Sequence, residues 1–239
     1  MKKNFVIVTS ISLFVALASC NINAQFGKNG SGTITEQERK LPEFTCIDAG
    51  GGIDVFLTQG DVQKILVVTD DNLQEYVKTE VNGDVLKIYT QKSLNPSKKL
   101  KVNVMMKVVK SISFSGGSDF FTENTINVGD LKLNFSGGSD GKINLKAISI
   151  DAIVSGGADL DLKGAVGEIK VDASGGGDFK AFGLIAANAD VSASGGSDIF
   201  ITVEKELKAS ASGGSDIKYK GNPKLIKSEA SGGSDINKE

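Results

Sequence analysis

Apolar and polar residues alternate with period two through most of the chain. The pattern is clearest in Leu131-Lys132-Leu133-Asn134-Phe135, Ile169-Lys170-Val171-Asp172-Ala173 and Leu207-Lys208-Ala209-Ser210-Ala211. Successive side chains of a strand point to opposite faces, so each run predicts a strand with one buried and one solvated side. Every such run leads into the pentapeptide Ser-Gly-Gly-x-Asp, which occurs seven times, beginning at Ser115, Ser136, Ser155, Ser174, Ser194, Ser212 and Ser231. The alternation resumes after it, as in Leu160-Asp161-Leu162 and Ile217-Lys218-Tyr219.

The pentapeptides are separated by 18 to 21 residues. So steady an interval predicts a solenoid whose units seal each other's apolar faces. The fold expected is all-β: a single-stranded right-handed parallel β-helix with coils of about 19 residues, strands stacked at about 4.8 Å and right-handed crossovers by default. The alternative is a β-sandwich, which also uses short strands and Gly-rich turns but does not require one pentapeptide at one interval. Each coil should have a second, less uniform turn, such as Asn127-Val128-Gly129-Asp130 or Gly221-Asn222-Pro223. The residue before each Ser runs Phe114, Phe135, Val154, Ala173, Ala193, Ala211, Ala230, which predicts a core that narrows toward the C-terminal end.

The pentapeptide is missing from residues 41–110, but the alternation persists in 65–69, 85–90 and 100–109. Residues 70–77 could form one helical turn, and Asn82-Gly83 signals a tight turn. Gly50-Gly51-Gly52-Ile53-Asp54 reads as an eroded repeat, 65 residues before Ser115. The expectation is one continuous domain over 41–239 of about ten coils: irregular N-terminal coils in 41–110 with longer loops, then the seven repeats of 111–239.

The first residues look different. Lys2 and Lys3 precede an uncharged apolar run from Phe5 to Ala18. That run is short for a membrane span and placed like the apolar part of an export signal. Residues 1–19 are therefore expected to be a lipoprotein signal peptide ending at Leu17-Ala18-Ser19-Cys20, a sequence that resembles a bacterial lipobox, with Cys20 as the lipid attachment residue. The alternative is cleavage after Ala24. Either route exports the protein, and residues 20–40 then read as a flexible tether. Cys46 has no partner for a disulfide and is expected to fill a strand.

Composition removes several functions. There is no His and no Trp, and Arg39 is the only arginine. Histidine-dependent nucleophiles and histidine-ligated zinc are excluded, and the chain lacks the basic and stacking side chains of a nucleic-acid binder. The most regular polar feature is the row Asp119, Asp140, Asp159, Asp178, Asp198, Asp216 and Asp235, one per repeat. The first reading is that each carboxylate accepts turn N–H groups. The alternative is a Ca²⁺ row relieving repulsion between like charges one coil apart. No cofactor is otherwise expected. A catalytic pair is needed once, so sevenfold repetition favours scaffold or multivalency. The slot between Gly-Gly and Asp holds Ser five times, Ala158 and Gly177, and should demand smallness rather than a hydroxyl.

Gly51-Gly52-Ile53-Asp54-Val55, Val81-Asn82-Gly83-Asp84-Val85-Leu86-Lys87-Ile88 and the Ser-Gly-Gly-Ser-Asp turns together resemble the autotransporter adhesin head (GIN) domain family of exported Bacteroidetes-type proteins. The resemblance implies a pectin-lyase-like β-helix, no recognised catalytic residues and an adhesive role. The expected protein is a non-enzymatic envelope lipoprotein, held in the outer membrane by its lipid and facing the cell surface or the periplasm. It would present a rigid repetitive surface to a glycan or protein. The alternatives are a polysaccharide-acting β-helix enzyme, and a structural component that self-assembles through the open C-terminal end of the helix as a homo-oligomer.

Overall fold

The computed structural model describes residues 27–98 and 100–239. The expected signal peptide, Cys20 and the site after Ala24 lie outside these residues. Parallel coils stack through the repeat region. Leu131, Leu133 and Phe135 lie in register with Ile150, Ala152 and Val154, then with Ile169, Val171 and Ala173, and onward to Ala189, Val191 and Ala193. These positions are buried and the residues between them are partly or fully exposed. They form a single apolar core that runs from Phe44 to Tyr219.

Each coil turns at its Gly-Gly corner. The first glycine always has positive φ, as at Gly156 (73°), Gly175 (84°) and Gly213 (84°). The second, from Gly138 onward, does not. From Gly157 onward its N–H instead donates to the carbonyl of the first glycine one coil back, as in Gly176 N to Gly156 O at 2.6 Å. The two glycines therefore serve different needs, one conformational and one of close approach.

The second corner departs from expectation. The chain stays paired to its neighbour through it, so Asp159–Gly175 and Phe179–Gly195 each run 17 residues as one bent strand. Register slips fall in this part of the coil, between Asp161 and Lys163 and between Ala181 and Ile185, which absorbs the unequal repeat lengths.

The N-terminal part is built differently from the expected succession of coils. Ala49 and Gly50 pair directly with Phe114 and Ser115, so the eroded corner stacks immediately beneath the first full repeat. The opposite edges of Cys46–Gly50 and Asp54–Gln59 pair with Val85–Thr90 and Lys101–Met106. The intervening chain thus adds one coil on the outer side and then returns across to continue at Ser111. That coil is covered by antiparallel strands. Val77–Asn82 forms a hairpin with Val85–Thr90 around Gly83 (φ 65°), and Lys64–Asp70 pairs with Lys101–Met106. The 3-10 segment Asp71–Tyr76 links the two over a fully buried Leu73.

The expected tether is likewise folded from Lys28 to Arg39. Ile34–Arg39 pairs antiparallel with Lys64–Asp70, and Lys28–Asn29 pairs with Leu94–Asn95. Buried Asp70 fastens this end. It accepts from Gly32 N at 2.7 Å, Ser97 N at 2.8 Å and Ser97 Oγ at 2.6 Å. Gly30 lies so close that a Cβ there would meet the carboxyl group at 2.4 Å. Tether composition here serves tight packing.

Candidate functional site

The row of aspartates is in register, with Asp119 beside Asp140, Asp140 beside Asp159 and Asp216 beside Asp235. From the third copy onward each carboxylate accepts the backbone N–H of the next aspartate. Asp178 N donates to Asp159 at 3.2 Å, Asp198 N to Asp178 at 3.4 Å, Asp216 N to Asp198 at 3.0 Å and Asp235 N to Asp216 at 3.1 Å. The carboxylates do bind N–H groups, but across coils instead of within their own turns. Lys180 adds a cation, its Nζ lying 2.7 Å from Asp159 and 3.3 Å from Asp178. The bond to Asp159, reinforced by Asp178, raises the Lys180 pKa above its ordinary value against the opposing effect of burial. Among the described residues no three His, Cys, Asp or Glu side chains converge as a metal-ligand set.

The slot between Gly-Gly and Asp holds more than a small side chain. Ser139, Ser197 and Ser215 are fully buried. Each hydroxyl accepts the N–H and donates to the carbonyl of the serine that opens its turn. Ser215 Oγ, for example, lies 3.2 Å from Ser212 N and 2.9 Å from Ser212 O. Ser234 does the same, whereas Ser118 in the first copy accepts from Gly52 N and Ile53 N of the neighbouring coil. Ala158 and Gly177 had concealed this hydroxyl's role in the sequence, although five Ser in seven copies was the available signal.

The two outward faces differ in chemistry. Before the Gly-Gly corner, Lys132, Asp151, Lys170, Asp190 and Lys208 stack in alternating sign. Asp172 on the same strand, helped by Asp151 and Asp190 on the neighbouring coils, holds the Lys170 pKa above its ordinary value. This face satisfies its own charge. After the corner, aromatic rings reach the outer surface. Phe56 and Phe121 stack at 5.0 Å between centroids, with Lys101 Nζ 5.3 Å from the first ring and Lys142 Nζ 6.0 Å from the second. Phe182 and Phe200 meet edge to face at 5.5 Å, with Lys220 Nζ 4.1 Å from the first ring and Lys218 Nζ 5.7 Å from the second. All four rings are half-buried. Phe121, Lys142, Asp161, Lys180 and Phe200 occupy consecutive rungs of one row. The two aromatic platforms are therefore about 19 Å apart, at about 4.8 Å per rung. Period-two reading placed these residues outside, but not beside one another.

Arg39 lies elsewhere. It ends the covering strand Ile34–Arg39 and donates to Gln74 O at 3.0 Å, and burial lowers its pKa. Cys46 is a half-buried free thiol on the first coil. It borders a cleft of about 550 Å³ with Val108, Val128, Gln59, Lys107 and Lys132, where the inserted segment rejoins the repeats.

Residues 43–223 match the family model described as "Putative auto-transporter adhesin, head GIN domain". The chain belongs to this family. The head GIN domain architecture recurs in solved structures. A protein titled a putative adhesin, from Bacteroides fragilis, is 25% identical with a TM-score of 0.83, over 89% of this chain and all of its own. A second putative adhesin, from Parabacteroides merdae, is 21% identical with a TM-score of 0.73, over 90% of this chain and 99% of its own. A Parabacteroides distasonis protein titled a putative lipid binding protein is 24% identical with a TM-score of 0.67, over 88% and 98%. The last two show the fold alone. Comparison with curated proteins finds no match. Membership in the head GIN family fits an exported, surface-associated protein, and neither the family nor these neighbours is named for an enzyme.

Proposed function

We propose that this protein is a non-catalytic adhesin of the cell envelope, anchored in the outer membrane through a lipid on Cys20, that binds glycan or protein with the aromatic and lysine face beyond the Gly-Gly corner. The observation that carries this reading is the pair of ring platforms Phe56/Phe121 and Phe182/Phe200, with Phe121 and Phe200 on one row and each platform flanked by lysines. Aromatic faces stack on the apolar sides of sugar rings and of protein side chains, and a sheet fixes them without ordering cost at binding. Lysine flanks suit an acidic ligand. The opposite face, its charges already paired in alternation, offers less to a partner.

A glycan array probed with wild-type protein and with Phe121→Ala and Phe200→Ala tests the assignment. The expected result is a wild-type signal on acidic glycans that falls about tenfold or more in each variant, the loss of one stacked anchor at about 1.4 kcal/mol. A signal unchanged in both variants would move the site elsewhere. Turnover of an acidic polysaccharide by the purified protein would overturn the non-catalytic reading. Metabolic labelling with a radiolabelled fatty acid, lost in Cys20→Ala, is the expected mark of the anchor.

A further inference from the structure

The two ends of the solenoid are unlike. One ends in the antiparallel strands Val77–Asn82 and Ile34–Arg39, with the 3-10 segment Asp71–Tyr76 crossing between the faces. At the other end, Lys224–Gly232 pairs on one side only, with 206–213, and all nine of its residues are exposed. Leu225 and Ile226, 45% and 42% exposed, lie on this strand, and Ala230 stacks on the inward-facing Ala211. The strand thus offers a row of free backbone groups along an uncovered apolar rim.

Its sequence, Lys224-Leu225-Ile226-Lys227-Ser228-Glu229-Ala230-Ser231-Gly232, is self-complementary when reversed about Ser228. Paired antiparallel with a second copy, Lys227 of each strand stands opposite Glu229 of the other. Ser228 meets itself and Ala230 lies toward Ile226, which the register shift between Leu225 and Lys227 leaves as a bulge. Lys227 and Glu229 already share the outward face, since Nζ of the first lies 2.8 Å from the carboxylate of the second. Opposite charges placed directly across an antiparallel pair stabilise it, and like charges oppose it.

We propose that two copies of this chain associate tail to tail through Lys224–Gly232, related by a two-fold axis at Ser228. Such an isologous contact uses up both open ends. An isologous contact of this kind closes on itself, so assembly stops at the dimer. If the anchoring proposed above holds, the two lipid-bearing ends lie at opposite extremes of the pair and the dimer can join two membranes. The contact itself does not depend on that anchoring.

Sedimentation velocity of the purified protein, over a concentration series without any ligand, tests the proposal. A monomer–dimer equilibrium is expected. Lys227→Glu faces like charges across both contacts and should raise the dimer dissociation constant by about tenfold or more. The double variant Lys227→Glu/Glu229→Lys restores opposite charges by symmetry and should restore the dimer. Circular dichroism melts confirm that each variant is folded, which is expected because exposed pairs contribute little to stability. A monomer at every concentration, growth into open polymers, or a dimer indifferent to the single change or not recovered by the swap would each overturn the proposal. Loss of glycan binding with the dimer intact would count against the adhesive face alone.

Discussion

Gly141 sits against Phe135 in the core, so close that a Cβ at 141 would meet the Phe135 ring at 2.7 Å and Leu160 Cδ1 at 2.6 Å. Glycine is required here because both of its core neighbours are large. On the facing strand, Gly141 is followed in register by Leu160, Phe179, Ile199 and Ile217, so the side chain across the core grows where Phe135 gives way to Ala173, Ala193 and Ala211. From Gly141 onward a larger residue on the facing strand offsets part of the loss of size before the corner. Exposure at the C-terminal end comes from its open edge.

Gly141→Ala should destabilise the protein by about 1–3 kcal/mol through overpacking. Phe135→Leu in the same molecule should recover part of the loss by freeing ring volume. Denaturant melts of the two single variants and the double variant check the coupling. Additive losses would show that the two positions do not share the space.

At the corner, Gly175→Ala must adopt φ near 84° and bring its Cβ to 2.8 Å from Gly156 O. Left-handed backbone alone costs an alanine about 1–2 kcal/mol, and the contact adds to it. Gly138→Ala meets nothing within 4 Å and should be neutral or slightly stabilising. Thermal midpoints should separate the two clearly, though they occupy adjacent slots of the repeated pentapeptide.

Asp198→Ala leaves the Asp216 N–H, now bonded at 3.0 Å, without its acceptor. A loss of about 1 kcal/mol is expected, and Asp198→Asn, which keeps a side-chain oxygen, should lose less than half of that. The same melts run with excess calcium and with chelator should superimpose, since each aspartate from 159 to 216 already binds an N–H. A clear upward shift in calcium would instead establish the cation row.

Burial pushes the Asp70 carboxyl up, but the Ser97 hydroxyl and the N–H groups of Ser97 and Gly32 outweigh it and hold its pKa below the ordinary 3.8. A pKa depressed by folding gives stability that is complete above the ordinary value and fades as pH falls through the folded one. Melting midpoints should therefore hold down to about pH 5 and drop below about pH 4. Asp70→Asn should be less stable near neutrality and converge with the wild type in acid. Parallel pH curves for the two would remove Asp70 from the acid response.

The strands, the corners and the stacked aspartates were legible because each depends on a local period that the repeats print seven times. What was not legible depends on contacts between distant segments. Gly30 and Gly32 look like linker until Asp70 is placed against them, and Gly51 gives no sign that its neighbour in the stack is Gly116, 65 residues away. The platform of Phe182 on Phe200 was hidden by the register slip between Ala181 and Ile185. A fixed period cannot anticipate a bulge.

The rung made by Cys46–Gly50 and Asp54–Gln59 is the first of the stack to be synthesised, yet both its edges are claimed by segments made later, 85–106 on one side and 111–122 on the other. The stack extends from it in two directions. Hydrogen exchange should accordingly be slowest at Ile47 and Val55 and quicken outward both ways. A lesion at this rung would unseat the lid and the repeats together, whereas a lesion in the last repeat would peel back only its own end.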